Sequence, residues 1–178
     1  GFACCAESLV SLVLTDKWLP CVPFIRILCV SYMLWPIHTA NLNAIKAMGR
    51  SDTFLKLEVI KKGIGIILLV STIGISVKAI AYGVLLECIM SQIVNSMPNK
   101  KFLNYGYIDQ LKDILPTLLL SSVMGIVVYC VGFFPIPQLV KVVVQIMTGM
   151  TVYVVGSYIL KFDEFKYIIS KYKSLVKK

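Results

Sequence analysis

Residues 114–134 read ILPTLLLSSVMGIVVYCVGFF, an uninterrupted run without one charged side chain. At about 1.5 Å per residue, a helix of this length matches a hydrocarbon core of about 30 Å. Buried strands are far shorter, about 4–8 residues, and the run lacks the strict alternation of a barrel strand. Pro116 falls in the expected first turn, where N–H groups have no helical partner anyway. This segment therefore predicts a membrane-spanning helix, and the rest of the chain repeats its pattern.

Upstream, comparable spans are expected at about 20–48, 57–75 and 79–97, and a fifth follows at about 139–160. The first is longer than a bilayer core needs. Pro36 should kink or break it, and His38 to Asn43 is polar enough to leave lipid or line a cavity. Ser51 or Asp52 is expected to cap the following helix. Lys61 and Lys62 intrude on the first turn of the second span and should snorkel to the interface. The short connection from Ile75 to Ala79 predicts an antiparallel hairpin. Pro98 should stop the third span, and 99–113 reads as a polar loop. Pro135-Ile136-Pro137 breaks the chain before the fifth span. Residues 1–14 resemble the end of a further apolar segment, as in a piece of a longer protein.

The expected fold is therefore all-α, a polytopic transmembrane helical bundle occupying 1–161. It has about five complete spans plus the end of another. In 162–178 Phe165, Ile168, Ile169, Tyr172, Leu175 and Val176 recur at helical spacing among lysines. That pattern predicts a cytoplasmic basic amphipathic helix lying on the bilayer, or a solvated tail.

Composition agrees. Of 178 residues, 58% are hydrophobic and only 15% charged, with a mean hydropathy of +0.83. A soluble domain carries about 25% charged residues. The net charge of +9 does not point to nucleic acid, because the basic residues cluster between apolar runs rather than along one reading face. Alternate connections hold Lys46, Arg50, Lys56, Lys61 and Lys62, then Lys100, Lys101 and Lys112, then the lysines from Lys161 onward. Lys17, Lys78 and Lys141 fall on the other side. The positive-inside rule places the rich side, and the C-terminus, in the cytoplasm.

Six cysteines form no CxxC pair, and no Cys/His ligand spacing appears, so no metal is expected. No nucleophile elbow, HExxH or P-loop is present. Neither an enzyme nor a cofactor is expected. The informative residues are polar groups at membrane depth, which are costly and so mark functional candidates. Arg26 can bind phosphate within a cavity or snorkel to the outer interface. His38, Asn41 and Asn43 follow the Pro36 break and suit a substrate cavity or helix–helix bonding. Gly83, Glu87, Ser91 and Asn95, four apart, form a polar stripe. Glu87 on it can couple an ion or serve packing.

The runs Trp35-Pro36-Ile37-His38-Thr39-Ala40-Asn41-Leu42-Asn43 and Ala47-Met48-Gly49-Arg50-Ser51-Asp52, with Leu55 to Lys62 and the Trp18-Leu19-Pro20 turn, resemble bacterial Wzx-type polysaccharide flippases. These belong to the multidrug/oligosaccharidyl-lipid/polysaccharide exporter superfamily. The resemblance implies two bundles around a central cavity in the bacterial cytoplasmic membrane. It implies flipping of undecaprenyl-pyrophosphate-linked oligosaccharide by alternating access. This chain resembles the C-terminal bundle. Arg26 would bind pyrophosphate, His38, Asn41 and Asn43 would serve the substrate cavity, and Glu87 would couple an ion. Implied partners are the lipid-linked oligosaccharide, membrane lipids, the N-terminal bundle, and a polysaccharide polymerase or glycosyltransferases. A drug or solute exporter of the same superfamily, or a non-transporting membrane subunit of a polysaccharide-synthesis complex, stands as the alternative.

Overall fold

The computed structural model describes residues 1–162 together with Phe165, Tyr167 and Lys171. Among the described residues it is helical, with no strand. The elements are α1 (Phe2–Leu14), a 3-10 turn (Asp16–Cys21), α2 (Val22–Tyr32), α3 (Trp35–Ala47), α4 (Ser51–Ile73), α5 (Val77–Leu103), α6 (Tyr107–Val131) and α7 (Gln138–Ile159). Four stretches are long and apolar enough to cross a membrane: Asp16–Ala47, Val77–Leu103, Tyr107–Val131 and Gln138–Ile159. The all-α membrane bundle is thus the architecture observed. The expected amphipathic helix at 162–178 lies largely outside the described residues.

The chain divides into two compact units. One holds Gly1–Lys17 and the described residues from Pro116 onward; the other is Trp18–Leu115. In the first, α1 packs against α7. Gln145 on α7 is 2% exposed, and its Nε2 donates to the carbonyl of Val128 on α6 at 3.1 Å. In the second unit α5 is the central mast, packed by α2, α3 and α4.

The first span breaks where expected. Helix α2 ends at Tyr32 and α3 begins at Trp35, with Pro36 in its first turn. There the missing N–H costs no helical bond. The α3–α4 corner closes on Gly49 at φ 69°. Gly49 N–H donates to Lys46 O at 3.0 Å, and Arg50 N–H reaches back to Ile45 O at 3.3 Å. This is a Schellman closure, whose left-handed residue is usually glycine. The Arg50 guanidinium then lies 3.9 Å from the centre of the Phe102 ring at the end of α5.

Several boundaries differ from the sequence reading. Arg50, not Ser51 or Asp52, occupies the N-cap position of α4. The earlier start puts Lys61 midway along α4 rather than in its first turn. Lys61 is 6% exposed, so it is buried in protein and does not snorkel. Lys56, Glu58, Lys61 and Lys62 keep α4 outside the four apolar stretches, although it has 23 residues. Pro98 does not stop α5, which runs through it to Leu103. The 99–113 loop shrinks to 104–106, turned by Asn104 at φ 52°. Its first residue, Asn99, is 2% exposed and packed inside the unit. Pro116 lies within α6 rather than in its first turn. The α4–α5 hairpin matches the expectation, and Ser76 caps α5 by accepting from Ala79 N–H at 3.1 Å.

Candidate functional site

The expected polar stripe on α5 faces protein. Gly83, Ser91 and Asn95 are buried, and Gln92, Ser96 and Asn99 join them on the inward side. Such a buried polar face must find partners, since an unpaired group costs about 1–3 kcal/mol. Helix α3 supplies two. His38 Nδ1 lies 2.7 Å from Asn95 Nδ2. With the amide donating, Nδ1 accepts and the neutral imidazole carries its proton on Nε2. The imidazole is also stacked on Trp35, with centroids 5.0 Å apart and planes at 17°.

One turn further along, Asn41 is 3% exposed. Its Nδ2 donates to Gln110 Oε1 at 2.8 Å. Its Oδ1 accepts from Asn99 Nδ2 at 2.6 Å. Both ends of the amide are spent on helix–helix bonds joining α3, α5 and α6. The structure places Asn41 in the scaffold, not at an open cavity wall.

A cavity of about 230 Å³ opens between α2, α3, α4 and α5. Its wall includes Trp35, His38, Glu58, Lys61, Glu87 and Gln92, with Lys62 at its edge. Lys61 Nζ pairs with Glu58 Oε1 at 2.5 Å. The i,i+3 spacing puts both on one face of α4. Lys62 forms no ion pair among the described residues and is exposed. Gln92 is 2% exposed, and its Nε2 has no hydrogen-bond partner among the described residues. The result is an apolar bundle containing cationic, anionic, amide and aromatic groups around one space.

The structure brings His38 and Glu87 together on this wall. It does not bring Arg26 or Asn43 there. Arg26 is half-buried on α2, and Asn43 is exposed on α3. Gln92, Glu58 and Lys61 were missed by sequence reasoning. The pairing of Glu58 with Lys61 carried a readable signal, because i,i+3 opposite charges face each other on a helix. The depth of Lys61 was hidden until the start of α4 was known. Among the described residues no cluster of three His, Cys, Asp or Glu side chains could hold a metal.

Comparison with family models, curated proteins and solved structures found no match.

Proposed function

We propose that this chain forms part of a membrane transporter that carries the polar head of an undecaprenyl-pyrophosphate-linked oligosaccharide across the bacterial cytoplasmic membrane, by alternating access. The observation that supports this reading is the mixed polar cavity beside the broken α2–α3 helix, with Lys61 buried at its wall. Irregular backbone at membrane depth is tolerated where it lines a cavity, and broken helices of this kind form transporter sites.

Each group has a role on this reading. Lys62 and Lys61 attract phosphate. Trp35 offers an indole, and Gln92 an amide, to sugar. Glu87 couples an ion gradient. The lysines of the last turn of α5, Lys100 and Lys101, face the cytoplasm on this reading.

The test is transport by the full-length protein that contains this chain. In liposomes it should move a labelled lipid-linked oligosaccharide. Lys62→Ala should slow the initial rate about tenfold, the equivalent of about 1.4 kcal/mol of lost headgroup interaction. Transport of the lipid at an unchanged rate by a Lys61→Met, Lys62→Ala, Gln92→Ala triple variant would remove the cavity from the mechanism.

A further inference from the structure

The polar cavity is not isolated. Lys62, Val84 and Glu87 also belong to a second hollow of about 300 Å³, a groove in the crease between α4 and α5. Beyond that shared waist its walls change character. They are Ile66, Leu68 and Leu69 of α4 with Ile80 of α5, over Gly65 and Gly83. Glycine at Gly83 lets the helices close, since a β-carbon there would stand 3.3 Å from Thr72 Cγ2. Thr72 does not make the far end polar. Its hydroxyl donates to its own helix at Leu68 O, 2.8 Å away. From Lys62 to Thr72 the groove follows α4 for about 15 Å.

Taking the headgroup reading above as its premise, the geometry points to one amphiphile filling both spaces: the phosphorylated head in the cavity and the first stretch of its isoprenoid chain in the α4–α5 groove. Charge complementarity fixes the register. The phosphate joining head and tail belongs at the waist, where Lys62 supplies an ammonium and Glu87 accepts from head hydroxyls. The apolar chain then runs along Ile66 and Leu69 toward the 74–76 turn. A lipid tail held in this crease makes the groove part of the substrate site. A free sugar phosphate fills only the cavity, and a bilayer phospholipid lacks the sugar to anchor it there.

The test uses the full-length protein in phosphatidylcholine vesicles and a polyprenyl diphosphate sugar with a diazirine close to its phosphate end. Photolysis should place adducts on Ile66, Leu69 and Ile80. Leu69→Trp fills the groove from its exposed side and should cut the adducts on Ile66 and Ile80 about tenfold. The same variant should leave calorimetric binding of a tail-free glycosyl diphosphate unchanged. Adducts spread over the exposed faces of α6 and α7 would overturn the groove assignment, as would equal labelling by a phosphatidylcholine carrying the same diazirine. In either case the headgroup reading stands if the tail-free ligand still binds. If that ligand does not bind the unmodified protein, the headgroup reading fails and the groove assignment with it.

Discussion

A β-carbon added to Gly65 would stand 2.8 Å from Glu87 Oε1. The carboxyl of α5 therefore lies directly against the α4 backbone, at the boundary shared by the two hollows. The atom in the way is the far end of a flexible side chain, so it can move at little cost to the fold. Gly65→Ala is expected to swing the Glu87 carboxyl aside while changing stability by less than about 1 kcal/mol, well below the cost of overpacking a rigid core. On the proposed transport reading, transport by the full-length protein should fall to the level of Glu87→Gln. A thermal-unfolding comparison in detergent separates the two effects. If Gly65→Ala transports normally while Glu87→Gln does not, the carboxyl works without its seat on Gly65.

The Glu58–Lys61 pair is unequal. The lysine side chain is 7% exposed and the glutamate 33%. Removing either partner leaves the other charge behind, but only Lys61 is left in a buried place. Glu58→Gln is expected to destabilise by about 3 kcal/mol, the range found when a buried charge loses its partner. Lys61→Met should cost clearly less, because Glu58 reaches solvent and the methionine fills the lysine's volume. The double variant should recover part of the Glu58→Gln loss. Reversible unfolding of the four proteins in a double-mutant cycle measures this. A Lys61→Met variant less stable than Glu58→Gln contradicts the burial argument.

The pair also shows what can be read from residue order. Hydropathy located the apolar runs because spanning a bilayer needs about 20 apolar residues regardless of neighbours. Pro36 announced the α2–α3 break because its ring forbids an internal helical bond locally. The misread stretches share another cause. Asn99 looks like loop material by composition, and only packing against Asn41 shows that α5 carries it inward. Lys61 looked interfacial because the helix was expected from about Leu57, six residues after its start at Ser51, which moves the side chain about 9 Å along the axis. The cavity was legible in part: His38 and Glu87 stood out as polar groups in apolar runs. Gln92 did not, because an amide one residue off the Ser91 stripe has no pattern until the helix is rotated against α3.

The Asn41 amide joins three helices, so its loss should be felt by all of them. Asn41→Ala removes the acceptor of Asn99 Nδ2 and the donor to Gln110 Oε1. Interhelical polar bonds in membrane proteins are worth about 0.6 kcal/mol on average and at most about 1.7. With two broken at once, a loss of about 1–3 kcal/mol is expected. Asn43→Ala on the exposed side of α3 should cost almost nothing. Unfolding by increasing denaturing detergent ranks the variants. Equal stability of the two would mean that the Asn41 bonds are replaced by water.

The short 104–106 turn carries a titration that can be followed directly. Tyr105 donates its phenol hydrogen to Asp113 Oδ2 on the next helix. Chiefly through that bond, and further through burial and the nearby charges of Asp113 and Asp109, its pKa is pushed up to about 12, from an ordinary value of about 10. A raised folded-state pKa means that the neutral phenol is favoured in the folded protein. Its contribution to stability is fully present below about pH 10 and is lost as pH rises through about 12. Asp113→Asn removes the carboxylate, so the Tyr105 phenolate should appear earlier, nearer pH 10. Difference absorbance against Tyr105→Phe isolates this one phenol from the other tyrosines. The same Tyr105→Phe protein should lose less stability between pH 9 and 12 than the unmodified chain, about the difference expected from one shifted group. A Tyr105 titration unmoved by Asp113→Asn would show that the carboxylate is not what holds the phenol neutral.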